Sequence, residues 1–396
     1  MGFSRSTKSA TGYIPTLDGW RSIAIGGVIA SHGLVWSGAG LAKASAILHW
    51  PGLGAFLEGL GERGVELFFV LSGFLICSRL IEENDRFGHI SLKGFYVRRA
   101  CRILPAALLY LSFIGILGLA KVIPVTRGEW LSAVFFFRNY YPGEHWYTGH
   151  FWSLAVEEHF YLLWPSALFL AGTRRARWVA VIGICAVVIW RGLNWQLMSE
   201  QFRGRTDVRL DALLCGCLAA LLFSHVRATI SRGYTVYLFA LALVAYLILG
   251  AVEGPWLTVA KLCQAVATAF IILSTVINRG WSLSRFFETR ILRLGGKLSY
   301  SLYLWQQIFF YPTGHAHRWE LPVRLALLVC AAGLSYKLVE KPMIKLGHRL
   351  CPPPSPGRDD LPTEERNSGT LVSVVKNTSP RAQETALHCQ TPRIRP

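Results

Sequence analysis

Apolar residues fall in long runs separated by short polar stretches, and these runs set the reading of the chain. They lie near 19–37, 64–81, 103–120, 152–171, 178–191, 207–224, 234–251, 255–277, 297–312 and 321–338. A helix needs roughly 20 such residues to cross a bilayer. Some runs fall short of that, which local thinning and interfacial anchors accommodate in a polar-lined bundle. The pattern predicts an all-α polytopic membrane protein. One further run, Trp130 to Phe137, is too short to cross.

Charge sets the topology. Let the N-terminus be cytoplasmic and let 130–137 stay on one side. The inner loops then collect Arg79, Arg86, Lys93, Arg98, Arg99 and Arg102, and next Arg174, Arg175 and Arg177. Later inner loops hold Arg227 and Arg232, the cations from Arg279 to Lys297, and those from Lys337 to Arg349. The outer loops hold far fewer. If 130–137 crossed, Arg174-Arg175-Ala176-Arg177 would face the wrong side. The positive-inside rule therefore predicts about ten transmembrane helices with both termini cytoplasmic. Residues 1–12 become a cytoplasmic N-terminal segment, 13–348 the transmembrane domain, and 349–396 a disordered cytoplasmic tail containing Pro352-Pro353-Pro354-Ser355-Pro356. Segment 121–151 becomes a long outer loop with a short interfacial or re-entrant helix.

Composition agrees, since 52% of the residues are hydrophobic and only 16% charged. A net charge of +18 often signals nucleic acid, but here the cations lie between apolar runs and no zinc-finger, RNP or basic-helix motif is present. Nucleic acid is not an expected partner. Of nine cysteines, Cys215 and Cys217 form the only close pair, with no histidine cluster beside it. Neither a disulfide framework nor a metal site follows.

Ionisable residues inside the apolar runs are costly and mark candidate chemistry. Arg21 stands at the mouth of the first run and His32 lies roughly 16 Å further along the helix axis. In the predicted topology His32 and Glu158 of the fourth run reach a similar height in the outer half of a core about 30 Å thick. A carboxylate beside a histidine would orient it as a general base. Glu66 falls near the outer mouth of the second run. Asp207, Arg209 and Asp211 enter the sixth from the same side and read first as an internal ion-pair cluster, second as an acceptor-site lining. On the inner side, Arg98 and Arg102 share a helix face at i, i+4, with Arg99 beside them, a cradle of phosphate size. The alternative is an ordinary stop-transfer charge run. Arg21 either joins the phosphate cradle or pairs with Asp18, a candidate helix N-cap. Phosphate-binding arginines inside and a base in the outer half suit a donor with a phosphate-rich head and a long thin arm, such as coenzyme A.

Seven segments in order then resemble one family. They are Leu17-Asp18-Gly19-Trp20-Arg21 with His32, Gly64 to Ile76, Arg98-Arg99-Ala100-Cys101-Arg102-Ile103-Leu104-Pro105, Trp152 to Tyr161, Arg209-Leu210-Asp211, Ser299 to Trp305, and Val339-Glu340-Lys341-Pro342. The chain resembles the acyltransferase-3 family of integral-membrane acyl-CoA-dependent O-acyltransferases. The resemblance implies ten membrane helices and transfer of an acyl group, acetyl by default, from acyl-CoA as co-substrate to a hydroxyl. The implied acceptor is a glycan or lipid-linked sugar, and the implied location is the bacterial inner membrane. The family's essential histidine falls on His32, the arginine of its first helix on Arg21, and its cytoplasmic arginine motif on Arg98, Arg99 and Arg102. Glu66, Trp152 and Gln306 are the candidate acceptor-binding residues. Gln306 departs from the family's usual histidine, a position that bears on acceptor binding or on the orientation of His32. Trp20 and His159 depart from a usual Leu and Gln. A macrolide-like small molecule is the alternative acceptor, an acyl-histidine the alternative mechanism, and a transporter or flippase the alternative class.

Overall fold

A computed structural model describes residues 13–36, 53–143, 146–197, 202, 204–229, 232–250, 252, 254–311 and 320–352. The segments expected as an N-terminal cytoplasmic stretch (1–12) and most of the expected tail lie outside the described residues. Among the described residues there are helices and no strands.

Helix α1 (Pro15–Ala30) begins with proline, whose fixed φ suits the first turn, and continues as a π-helical turn, Ser31–Trp36. Then follow α2 (Leu53–Phe87), α3 (Leu92–Leu119), α4 (Arg127–Val134), the single turn α5 (Trp146–Gly149) and α6 (Phe151–Leu193). The second half holds α7 (Thr206–Thr229), α8 (Arg232–Leu249), α9 (Leu257–Ile277), α10 (Ser282–Phe287), α11 (Arg290–Phe309), α12 (Glu320–Ser335) and α13 (Lys341–Leu350). Helix α12 runs into α13 through a second π-helical turn, Tyr336–Glu340.

Among the described residues, six helical stretches are long and apolar enough to cross a membrane. They are α2, α3, α5 with α6, α7, α9, and α12 with α13. Leu119, Leu163, Leu170 and Ile182 lie exposed on their outsides, as lipid-facing helices require. The chain is therefore a multi-pass membrane protein. Helix α6 is not one rod. At Gly172 the backbone adopts φ 69° and ψ 164°, a conformation open to glycine. His159 Nδ1 bonds Thr206 Oγ1 at 2.7 Å, and Trp190 Nε1 donates to Asp207 at 2.8 Å. A straight helix would hold positions 159 and 190 roughly 46 Å apart, yet both reach the first turn of α7. The chain therefore reverses at Gly172, and α6 carries the two runs expected at 152–171 and 178–191.

The ambiguous run also resolves. Helix α4 starts at Arg127, earlier than the apolar pattern suggests, because Thr126 and Glu129 form a capping box. Eight residues rise only about 12 Å, so α4 does not span.

Small residues bring the central helices together. A Cβ on Gly73 would stand 1.9 Å from the Leu213 carbonyl oxygen, and one on Gly216 2.1 Å from that of Val70, so α2 and α7 cross at backbone contact. Helix α1 packs between α2 and α11. Trp20 stacks on Phe287 and donates to Thr275 Oγ1 at 2.9 Å, which ties α1 to α9 and α10. These contacts hold Arg21 and His32 at opposite ends of one rigid element.

Candidate active site

The site is built from one end of the bundle upward. At the start of α3, Ser91 caps the helix by accepting from the Gly94 amide, and Glu83 of α2 accepts from the Ser91 amide at 2.8 Å. The same Glu83 pairs with Arg98 at 3.3 Å, and Arg98 also donates to the Cys351 carbonyl. One turn on, Arg102 sits among Arg21, Arg99 and the Glu340 carboxylate. Arg99 lies over the Tyr161 ring at 3.6 Å, a cation–π contact. Among the described residues no carboxylate comes within ion-pair distance of Arg21, Arg99 or Arg102. Buried Glu340 instead accepts from Ser301 Oγ at 2.9 Å.

Asp18 is not the helix N-cap expected from the sequence. Helix α1 starts at Pro15 with Ile14 as its cap, and Asp18 accepts from the Tyr13 hydroxyl at 2.5 Å. The proline starts the helix earlier, which leaves Asp18 inside the first turn.

Arg21, Arg98, Arg99 and Arg102 all line one cavity of about 830 Å³. It rises from these cations between α1, α2, α6 and α11. Ser72 and Glu157 line it further up, with Ser72 Oγ donating to Glu157 at 2.6 Å. Ser153 and Tyr303 also line it, their hydroxyl oxygens 2.5 Å apart.

His32 stands in the π-helical turn that ends α1, a distortion often found at functional positions. Its Nδ1 bonds Gln306 Oε1 at 2.7 Å. Trp146 of α5 meets the His32 ring edge-on with centroids 5.4 Å apart, and its indole donates to the Gln307 carbonyl at 2.6 Å. The short helix α5 is thus pinned over the histidine. Tyr303 and Gln306 lie three residues apart on α11, so the upper part of the cavity is one helical turn from the residue that holds His32.

Glu158 is not the partner that the structure gives His32. Its charged neighbours are Arg99 and Glu157, which sets it toward the arginine end. Glu157, rather than Glu158, lines the cavity, because consecutive helix positions point about 100° apart. Equal height along two helices does not fix which faces meet.

Glu66 and Trp152 belong to the far end. Glu66 is buried, and its Oε1 has no hydrogen-bond partner among the described residues. Beside it Glu62 accepts from Arg209 at 2.7 Å and from Lys261 at 2.9 Å, and Arg209 lies over the Trp152 ring at 5.7 Å. Asp211 pairs with Arg191 at 2.8 Å, and Asp207 with Arg205 at 2.9 Å. The three charged positions of α7 are therefore ion-paired, each with a partner outside the cluster. Neither Glu66 nor Trp152 lines the cavity.

Sequence reasoning missed Trp146, Ser153, Tyr303 and Ser72 as site residues, and put Glu158 ahead of Glu157. Ser153 and Tyr303 are far apart in the chain, and no local pattern joins them. The family-like segments around both were the only signal.

A family model described as an acyltransferase domain matches residues 14–336. Two similar proteins are provisionally named O-acetyltransferases of Staphylococcus aureus strains COL and MSSA476, each 30% identical over 391 residues. The O-acetyltransferase OatA of S. aureus strain NCTC 8325 is 28% identical over 379 residues. The alignments cover 87% of this chain for the first two and 85% for OatA. They cover 59% and 58% of those relatives, so the chain spans well under two thirds of their length. No solved structure matches it.

Proposed function

The chain belongs to this acyltransferase family, and from that premise we propose that it moves an acyl group, acetyl by default, from acyl-CoA to a hydroxyl of a glycan. One observation carries the reading. A cavity lined at one end by Arg21, Arg99 and Arg102, which have no ion-pair partner among the described residues, stops one helical turn from the residue that holds His32. Arg21, Arg99 and Arg102 hold the phosphates through charge-assisted hydrogen bonds, and Arg98, braced by Glu83 and Cys351, shapes the wall beside them. The pantetheine arm runs upward past the Ser72–Glu157 pair. His32 then takes the proton of the acceptor hydroxyl as that oxygen attacks the thioester carbonyl. Gln306 orients the ring. Coenzyme A leaves as the thiolate, a good leaving group, and takes the proton from His32 to become the free thiol.

The same reading gives the topology. Ten crossings result when α1, α8 and α11 join the six apolar stretches and α6 counts twice. The arginine end then faces the cytoplasm, where acyl-CoA is made, and α5 lies outside. The multi-pass chain sits in the cell membrane. The names of the relatives favour acetyl as the group and oxygen as its destination.

The test uses membranes containing the protein, labelled acetyl-CoA and a host glycan extract, with no ion gradient. Label should reach lipid-linked or polymeric glycan with the unaltered chain. His32→Ala at matched expression should lower the rate by about 10²–10⁴-fold, the range of a lost general base. Equal transfer by the two would remove His32 from the chemistry. Membranes that carry label across only when a gradient is imposed would favour a transporter.

A further inference from the structure

We propose that the Tyr303 hydroxyl is the oxyanion donor of the transfer, with Ser153 as the positioning residue that frees its proton. This rests on the acyl-CoA reading above and assigns the site a second chemical group.

Tyr303 and Ser153 line the upper part of the cavity, above the arginines. Their oxygens are 2.5 Å apart, and each lies 3.1 Å from the carbonyl oxygen of His150. Two hydroxyl protons are thus shared among three oxygens. When Ser153 donates to the Tyr303 oxygen, the Tyr303 proton is left for an external acceptor. An amide carbonyl competes poorly for it against a developing oxyanion, because hydrogen bonds to charged oxygens are roughly twice as strong. The Tyr303 ring is held for this task. Phe68 meets it edge-on at 6.3 Å and His150 at 5.5 Å between centroids.

The second argument is register. Tyr303 and Gln306 are separated by about 4.5 Å along the α11 axis and share a face. Gln306 holds His32. A thioester carbonyl delivered up the cavity therefore meets the donor hydroxyl in one layer and the base in the next. The attacking oxygen forms its C–O bond as His32 takes its proton. The carbonyl electron pair moves onto oxygen and receives the Tyr303 hydrogen bond. Collapse of the tetrahedral species breaks the C–S bond, and the departing thiolate takes the proton from His32. Ester and free coenzyme A result, and both side chains return to their starting state.

The experiment measures release of free coenzyme A thiol and label transfer over a range of acetyl-CoA concentrations, in host membranes that carry acceptor. Tyr303→Phe keeps the ring and its packing. It should lower kcat by about 10²–10³-fold, the cost of one oxyanion donor. Donor KM should stay within about threefold, since the lost bond forms only in the transition state. Ser153→Ala should lower kcat less, and Ser153→Thr should restore it. A Tyr303→Phe enzyme with unchanged kcat, or with raised KM alone, would overturn the assignment. Binding of labelled acetyl-CoA to the purified unaltered protein separates the two layers. If the unaltered chain binds no acetyl-CoA, the donor reading fails, and the Tyr303 assignment with it. If it binds while Tyr303→Phe turns over normally, only the Tyr303 assignment fails.

Discussion

The two ends of the bundle are both rich in charge and treat it in opposite ways. At the far end Arg191, Arg205, Arg209 and Lys261 each have a counter-charge, while Arg63 lies over the Phe56 ring. Arg209 and Lys261 share Glu62, and Arg191 pairs with Asp211 while donating to the carbonyls of Val208 and Thr258. At the other end Arg21, Arg99 and Arg102 gather around one cavity without an ion-pair partner among the described residues, although Glu340 stands near. Like charges held together at low dielectric repel one another. Paired charge can be explained by the fold alone. Clustered cations without an ion-pair partner among the described residues, on a cavity wall, are what the proposed phosphate site would use. On the proposed function, the difference separates a structural network from a binding site where composition and charge counts do not.

Three perturbations bear on that comparison. The largest effect should come from the far end. Asp211→Ala would strand Arg191, whose side chain is only 7% exposed, and breaking a buried pair costs about 3–5 kcal/mol. Thermal unfolding in nanodiscs should show it, with donor KM unchanged in whatever protein remains folded. A milder loss is expected from Arg102→Gln. Loss of one charge-assisted bond, about 1.5–3 kcal/mol, corresponds to a donor KM raised by about 10–100-fold, with little change in melting temperature. If Arg102→Gln melted early and left KM alone, the two ends would be alike and the phosphate site would be lost. The smallest effect is that of salt. Raising ionic strength from about 0.05 to 0.5 M should weaken acetyl-CoA binding several-fold by screening the open cluster, while the buried Arg191–Asp211 pair responds little. Retention of labelled acetyl-CoA and the melting curve, taken on one sample, check both halves.

Much of the fold was legible from local pattern. Apolar runs marked the helices, and the shortness of 130–137 excluded a crossing there. The start of α4 is also legible, in the capping box of Thr126 and Glu129. Asp18, a candidate cap by sequence, lies inside the first turn because Pro15 starts the helix earlier. In the site, the four arginines could be grouped from spacing and resemblance, and the structure lines one cavity with them. Glu158 was set beside His32 on depth alone. Depth follows from residue number and helix rise, but azimuth depends on how two helices are rotated against each other. That rotation put Glu157 on the cavity, Glu158 toward Arg99, and Gln306 on the histidine.

By itself the sequence determined the helical class, the membrane habit, the charge asymmetry between the two ends, and which residues are costly enough to be suspect. These properties follow from short-range physics, namely apolar run length, helix rise and the price of burying charge. Only the tertiary structure decided which arginines lack an ion-pair partner among the described residues, that the chain reverses at Gly172, that Gln306 holds His32, and that Ser153 meets Tyr303. Each of these joins positions distant in the chain, and the packing of whole helices, closed at contacts such as Gly73 on Leu213, sets them.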